Sequence, residues 1–98
     1  MIIRIVRMTF REESVEDFLH IFNKSKSQIR NFPGCIHLEL HRDASNPRIF
    51  CTYSHWETQK DLDAYRNSEL FGKVWPATKA LFDAKPMAFS NIREQIIK

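Results

Sequence analysis

Ninety-eight residues make a single domain, 1–98, small enough that a lone copy leaves much of its surface wet and would gain from a core shared with a second copy. Eight Phe, two Trp and two Tyr supply a real core and exclude a disordered or low-complexity chain. The formal charge of +3, with fifteen Lys and Arg scattered among twelve acids, is too weak and dispersed for a nucleic-acid stripe, and the local cluster Lys24, Lys26 and Arg30 reads as a solvated helix face.

Residues 2–10 alternate as a strand, with Ile3, Ile5, Arg7 and Thr9 on one face and Ile2, Arg4, Val6, Met8 and Phe10 on the other. Both faces carry apolar residues, so both are expected to be covered. Ser14, with Asp17 three residues on, predicts a capped helix start. Val15, Phe18, Phe22, Ser25 and Ile29 then recur at helical spacing, until Phe32-Pro33-Gly34 stops the helix. Residues 35–42 alternate, setting Ile36, Leu38 and Leu40 against Cys35, His37, Glu39 and His41. Asp43 to Pro47 reads as a hairpin loop into a strand over 48–56, where Ile49, Cys51, Tyr53 and His55 oppose Phe50, Thr52, Ser54 and Trp56. Pairing about the loop places Glu39 opposite Cys51, His37 opposite Tyr53 and Cys35 opposite His55. The two cysteines are then not partners, form no metal or redox motif, and read as reduced thiols of a cytoplasmic protein.

After Trp56 the period changes. Thr58 with Asp61 caps a short helix to about Tyr65, Asn67-Ser68 breaks it, and Ser68 starts another. In the second, Leu70/Phe71, Val74/Trp75, Thr78 and Leu81/Phe82 recur every three or four residues. Pro76 lies inside that pattern and predicts a kink or a fresh turn. Lys85-Pro86 ends the helical region, and residues 87–95 alternate weakly as a fourth strand. The order βαββαβ predicts an α+β, ferredoxin-like domain, a four-stranded antiparallel sheet with helices on one side. The uncovered sheet face is too apolar for water, which predicts a homodimer through it. No apolar run reaches the roughly 18 residues of a membrane span.

The chemistry-bearing residues gather on the strands. His37, Glu39 and His41 share a face, with His55 on the neighbouring strand. Alternate strand residues stand nearly ~7 Å apart, and no Cys-x-x-Cys or His-x-x-x-His spacing accompanies them, so a polar wall is expected and no metal. His37, Tyr53 and Arg7 are the catalytic candidates. A neutral imidazole takes a proton from a phenol or quinol near pH 7, and Arg7 would steady the anion. The plainer reading makes His37 and Tyr53 satisfied polar residues lining a wet gap. Tyr65, Phe71, Trp75 and His55 are expected to line a pocket for a small hydrophobic or aromatic ligand; helical aromatic stripes are often plain core, and the polar handles of Tyr65 and Trp75 single those two out. Ser54 and Ser68 lack a Gly-x-Ser-x-Gly context, and two glycines leave no phosphate-cradling loop. The same element order serves RNA-recognition domains, but Arg48 to Tyr53 lacks the glycine and ring spacing that stack bases.

Asn31-Phe32-Pro33-Gly34-Cys35, His41-Arg42-Asp43 with Asn46-Pro47, and Tyr53 through Trp56 followed by Leu62, Tyr65 and Ser68 to Phe71 resemble the antibiotic biosynthesis monooxygenase (ABM) domain family. The likeness runs from the first strand to about Phe82. It implies a dimeric α+β barrel with a cavity between helices and sheet in each subunit. The family includes quinol and polyketide monooxygenases that use no cofactor, haem-degrading enzymes, and proteins with no established activity. The resemblance therefore implies a cofactor-independent monooxygenase of a small electron-rich aromatic or quinol-like substrate, with a non-catalytic dimeric ligand-binding or sensing module as the alternative. The Asn, Trp and His of the haem-degrading branch fall on Arg7, Tyr65 and Trp75; none is retained, which argues against haem ligation of that kind. Many quinol-type members carry His where this chain has Tyr65 and Leu70.

Overall fold

The alternating stretches become strands β1 (Ile2–Thr9), β2 (Cys35–Arg42), β3 (Ile49–Trp56) and β4 (Met87–Ile92) in the computed structural model, which describes all 98 residues. The stretches of helical period become α1 (Val15–Arg30), α2 (Gln59–Arg66) and α3 (Glu69–Lys79). The strands form one antiparallel sheet in the order β2-β3-β1-β4, the ferredoxin-like arrangement that βαββαβ predicts. No helix is long and apolar enough to cross a membrane.

Period-two alternation decides which side chains meet the helices. Met8, Phe10 and Phe50 pack with Phe18 of α1, and Val6, Leu40, Trp75 and Phe82 close around them. At the other end of the sheet Trp56 and Cys35 pack with Leu62 of α2, flanked by Ile2, Phe32 and Tyr65. Phe10 stacks on Phe18 with ring centres 4.2 Å apart, and Trp56 stacks on Tyr65 at 5.0 Å. These are two aromatic clusters rather than one core. A row of rings along the helix side, Tyr65–Phe71–Trp75–Phe82, joins them at spacings of 5.2, 5.8 and 5.6 Å.

The local signals act largely as their chemistry dictates. Thr58 Oγ1 accepts from the Asp61 amide, and Ser68 Oγ accepts from the Phe71 amide, so both predicted caps form. Gly34 takes φ +86°, and a Cβ there would lie 2.3 Å from the Asp61 side chain, so the turn that ends α1 requires glycine twice over. Ser25 and Thr78, both buried, donate back to the carbonyls of Ile21 and Val74 in their own helices.

Six expectations need correction. The β2–β3 hairpin is offset by two residues from pairing about the loop centre: His37 stands opposite His55, Glu39 opposite Tyr53 and His41 opposite Cys51. The loop explains the offset. Asp43 Oδ2 accepts from the amides of Ser45 and Asn46, Asn46 Oδ1 accepts from the Arg48 amide, and Asp43 N donates to Ile49 O. Secondly, the register shifts between Cys35 and His37, which turns Cys35 inward beside Trp56 and leaves Ile36 44 % exposed, the reverse of simple alternation. Thirdly, Ser14 makes no side-chain cap; a 3-10 turn over Glu12–Ser14 precedes α1 instead. Fourthly, α3 runs unbroken through Pro76. Pro76 has no amide to offer the Gly72 carbonyl one turn back, and Gly72 is exposed, so that turn can relax toward solvent. Finally, Leu81 and Phe82 lie beyond α3. Arg11 N donates to Leu81 O, Asp83 N donates to Thr9 O, and Phe82 bridges Phe10, so this segment is tied to the end of β1. The fourth strand also stops at Ile92 rather than residue 95.

Candidate functional site

The two aromatic clusters do not meet in the middle. Between them, enclosed by the sheet on one side and all three helices on the other, lies a cavity of about 220 Å³. Its sheet wall comes from Arg4, Val6, Met8, Thr52, Ser54 and Trp56. Its helix wall includes Phe22 of α1, Tyr65 and Arg66 of α2, and Phe71, Val74 and Trp75 of α3. The lining is predominantly apolar, as small-ligand sites are, with a few polar atoms to orient an occupant.

Some of those polar atoms are already engaged. Ser54 Oγ accepts from Trp56 Nε1 at 3.0 Å, and Thr78 donates to Val74 O at 2.8 Å. Others remain for a ligand: the Tyr65 hydroxyl, Thr52 and two guanidinium groups. Burial pushes the Tyr65 phenol up to about 12, with Cys35 a lesser cause, so it stays protonated at neutral pH and can donate. Arg4 donates to Ser90 Oγ at 3.2 Å and makes no ion pair with an acid. Burial holds its pKa below the ordinary arginine value, and the nearby Arg66 charge adds to that. The cavity lining contains no Asp, Glu, His or Lys.

Of the residues singled out from sequence, the structure brings Tyr65, Phe71 and Trp75 together in this cavity. It places Arg7, His37, Tyr53 and His55 elsewhere, on the opposite sheet face, because they carry the other parity of their strands. The sheet itself lies between the two groups. On that open face His37 and His41 both hydrogen-bond the Glu39 carboxylate, the second at 2.7 Å, and these bonds hold the Glu39 pKa below the usual carboxylate range. Tyr53 stacks on His41, with ring centres 5.5 Å apart, and meets His37 edge-on at 6.2 Å. Arg7 pairs with Asp43 at 3.4 Å. His55 Nε2 is sealed from solvent without a partner, and burial, with His37 and Arg93, holds the His55 pKa below its ordinary value. No three His, Cys, Asp or Glu side chains gather as a metal-binding group.

Sequence reasoning passed over Arg4 and Arg66. For Arg4 a signal existed: it shares a strand face with Val6, Met8 and Phe10, the most buried face of the molecule, and a charge there is out of place unless it serves a site. Arg66 had no such signal, because its role depends on how α2 packs on the sheet. The placement of Arg7 on the open face also removes it from any comparison with a cavity residue; of the three positions aligned with the haem-degrading branch, only Tyr65 and Trp75 line the hollow.

The same architecture recurs in solved structures. A conserved protein from Methanosarcina mazei Go1 superposes with a TM-score of 0.90 at 20% identity, covering 96% of this chain and 94% of that one. A structure described as antibiotic biosynthesis monooxygenase gives 0.91 at 19% identity, over 97% of this chain and 100% of that one. Rv0793 from Mycobacterium tuberculosis gives 0.89 at 13% identity, over 99% and 98%. At these identities the likeness speaks for the fold. No curated protein sequence matches the chain. The family model for antibiotic biosynthesis monooxygenase matches residues 1–75, which carry β1 to β3 and most of the cavity wall, and the chain therefore belongs to the antibiotic biosynthesis monooxygenase family.

Proposed function

We propose that the chain is a cofactor-independent monooxygenase that oxidises a small electron-rich aromatic or quinol-like substrate held between sheet and helices. The observation that carries this reading is the hollow itself: an aromatic-lined cavity with a guanidinium, Arg4, in its sheet wall and a protonated phenol, Tyr65, opposite. An engineered cavity of about 150 Å³ in another protein takes up benzene, so 220 Å³ suits one or two fused rings.

In this scheme the substrate supplies the electrons. Arg4 favours the ionised form of a bound phenol, and the phenolate carbon para to oxygen bonds to dioxygen. One oxygen atom stays on that carbon as a carbonyl. The O–O bond breaks, and the second atom leaves as water with the proton of the phenol and the hydrogen of the carbon. Phenol plus dioxygen thus gives quinone plus water. No side chain of the cavity is a base near neutral pH, so the first proton departs through the substrate's own lowered pKa. The trio His37, Tyr53 and Arg7 cannot touch a ligand held in the same chain's cavity, and its part in the reaction would have to run through a second copy.

That second copy belongs to the proposal. Met87 is 60 % exposed and Phe89 41 %; on the open face Phe89 stands opposite Ile5, with Met87 opposite Arg7 and Ile3 two residues along β1. An apolar area of this kind on a sheet is covered in most soluble proteins. Sedimentation over a wide concentration range is expected to show a dimer; a monomer at every concentration would contradict it.

The lack of a base in the cavity favours one competing reading, a ligand-binding or sensing module without turnover. An oxygen-electrode screen with quinols and polyphenols separates the two. Oxygen uptake with quinone formation supports the oxygenase. A ligand-induced rise in melting temperature with no uptake supports the sensor.

A further inference from the structure

The cavity carries more positive charge than oxygen chemistry on a phenol needs. Arg4 and Arg66 are the charged groups of its lining, and neither is paired with a carboxylate anywhere in the chain. Four other arginines find acids or carbonyls: Arg7 meets Asp43, Arg48 meets Asp83, Arg11 donates to the Phe82 and Ala80 carbonyls, and Arg30 donates to the Cys35 carbonyl; Arg42, over the Phe50 ring, and Arg93 pair with neither but lie outside the cavity lining. Two like charges left facing one apolar hollow repel each other, and Arg4 is disfavoured as a cation by burial and by Arg66. Two guanidinium groups sharing one apolar lining make a seat for an anion. Their placement says where it belongs. Arg4 lies in the sheet wall, in the β1 row that opposes Ser54 and Ser90, whereas Arg66 is exposed at the last turn of α2 and so stands at the cavity's mouth.

We infer that the occupant is an aromatic acid: one or two fused rings seated among Phe22, Phe71 and Trp75, bearing a carboxylate held between the guanidinium groups of Arg4 and Arg66. This rests on the cavity being the binding site, as proposed above, and names its substrate class. A carboxylate matches the fork of an arginine with two parallel hydrogen bonds, and such charge-assisted bonds gain strength where water is excluded. A neutral ring of the same shape leaves both cations unanswered.

The test compares 2-naphthoate with its neutral isostere 2-naphthamide by equilibrium dialysis against the full chain at low salt, using wild type and Arg66→Gln. Arg66 is exposed, so its replacement is expected to fold; circular dichroism checks this. The naphthoate should bind at least about tenfold tighter than the amide, a typical yield for one charge-assisted pair. Arg66→Gln should cancel most of that preference by weakening the acid much more than the amide, and added salt should weaken the acid more than the amide. Equal affinities for acid and amide, or a preference that survives Arg66→Gln and Arg4→Gln together, would overturn the inference, as would no binding of either probe to folded wild type. The oxygenase reading fails separately. If hydroxynaphthoates bind with the same arginine dependence but draw no oxygen, the acid site stands and the oxygenase falls; if neutral naphthalenediols are oxidised as fast as their carboxylates, the reverse holds.

Discussion

The two faces of the sheet are made from the same strands, one residue out of phase, and they behave as different materials. The helix-side face carries Met8, Phe50 and Trp56, each 1–2 % exposed, and keeps a hollow between its aromatic clusters. The open face is a grid of three rungs: His37–His55–Ile3–Asn91, Glu39–Tyr53–Ile5–Phe89 and His41–Cys51–Arg7–Met87. Its β2–β3 half is mostly polar, with His37 and His41 hydrogen-bonded to Glu39, and its β1–β4 half is largely apolar. One face stores packing energy and a binding volume; the other leaves Met87 and Phe89 exposed to solvent.

Large truncations should separate the faces most clearly. Trp56→Ala removes a ring stacked on Tyr65 and strands the Ser54 hydroxyl, and is expected to cost about 3–5 kcal/mol in urea unfolding. Tyr53→Ala, on the same strand but the other face, should cost about 1 kcal/mol in dilute protein and act chiefly on self-association. Equal costs at low concentration would erase the distinction.

Titration sharpens the contrast, because the two faces fail at opposite ends of the pH scale. The Tyr65 phenol is raised from 10.0 to about 12 in the folded chain, so the folded state holds its proton where the unfolded state has lost it. Stability is then full below pH 10 and falls as pH rises through 12, by up to about 2–3 kcal/mol. Tyr65→Phe should flatten that alkaline loss in pH-dependent denaturation.

Gly34→Ala tests the turn that sets the phase of β2. A positive φ and a clash with Asp61 predict a loss of about 1–2 kcal/mol in thermal or urea unfolding. The smallest effect is expected from His55. Its pKa is lowered by burial, His37 and Arg93, so its contribution is present above the unfolded value of 6.5 and is lost as pH falls below it. His55→Phe should remove that acid-side slope from the melting curve, and an unchanged slope would clear His55 of the role.

The architecture was legible in the residues because alternation and helical spacing are local, and the caps at Thr58 and Ser68 are local too. Tyr65 and Trp75 could be placed in a pocket because a helical stripe has one inward direction. His37 and Tyr53 could not, since parity says only which residues share a face, never which face the helices will cover. The hairpin offset was hidden for a related reason: it depends on side-chain bonds of Asp43 and Asn46 within the loop, which a count of loop residues does not contain. Arg66 is silent for the same kind of reason, its meaning arising only when α2 docks.

The register shift at the start of β2 has one further consequence. Ile36 is the residue with no opposite number on β3: Cys35 already faces Trp56 and His37 already faces His55. Excising Ile36 would therefore leave every later side chain on its present face, whereas adding or removing a residue anywhere from His37 to Arg42 would turn part of the strand inside out. The chain thus carries a single link, at the start of β2, whose loss would leave both surfaces in phase.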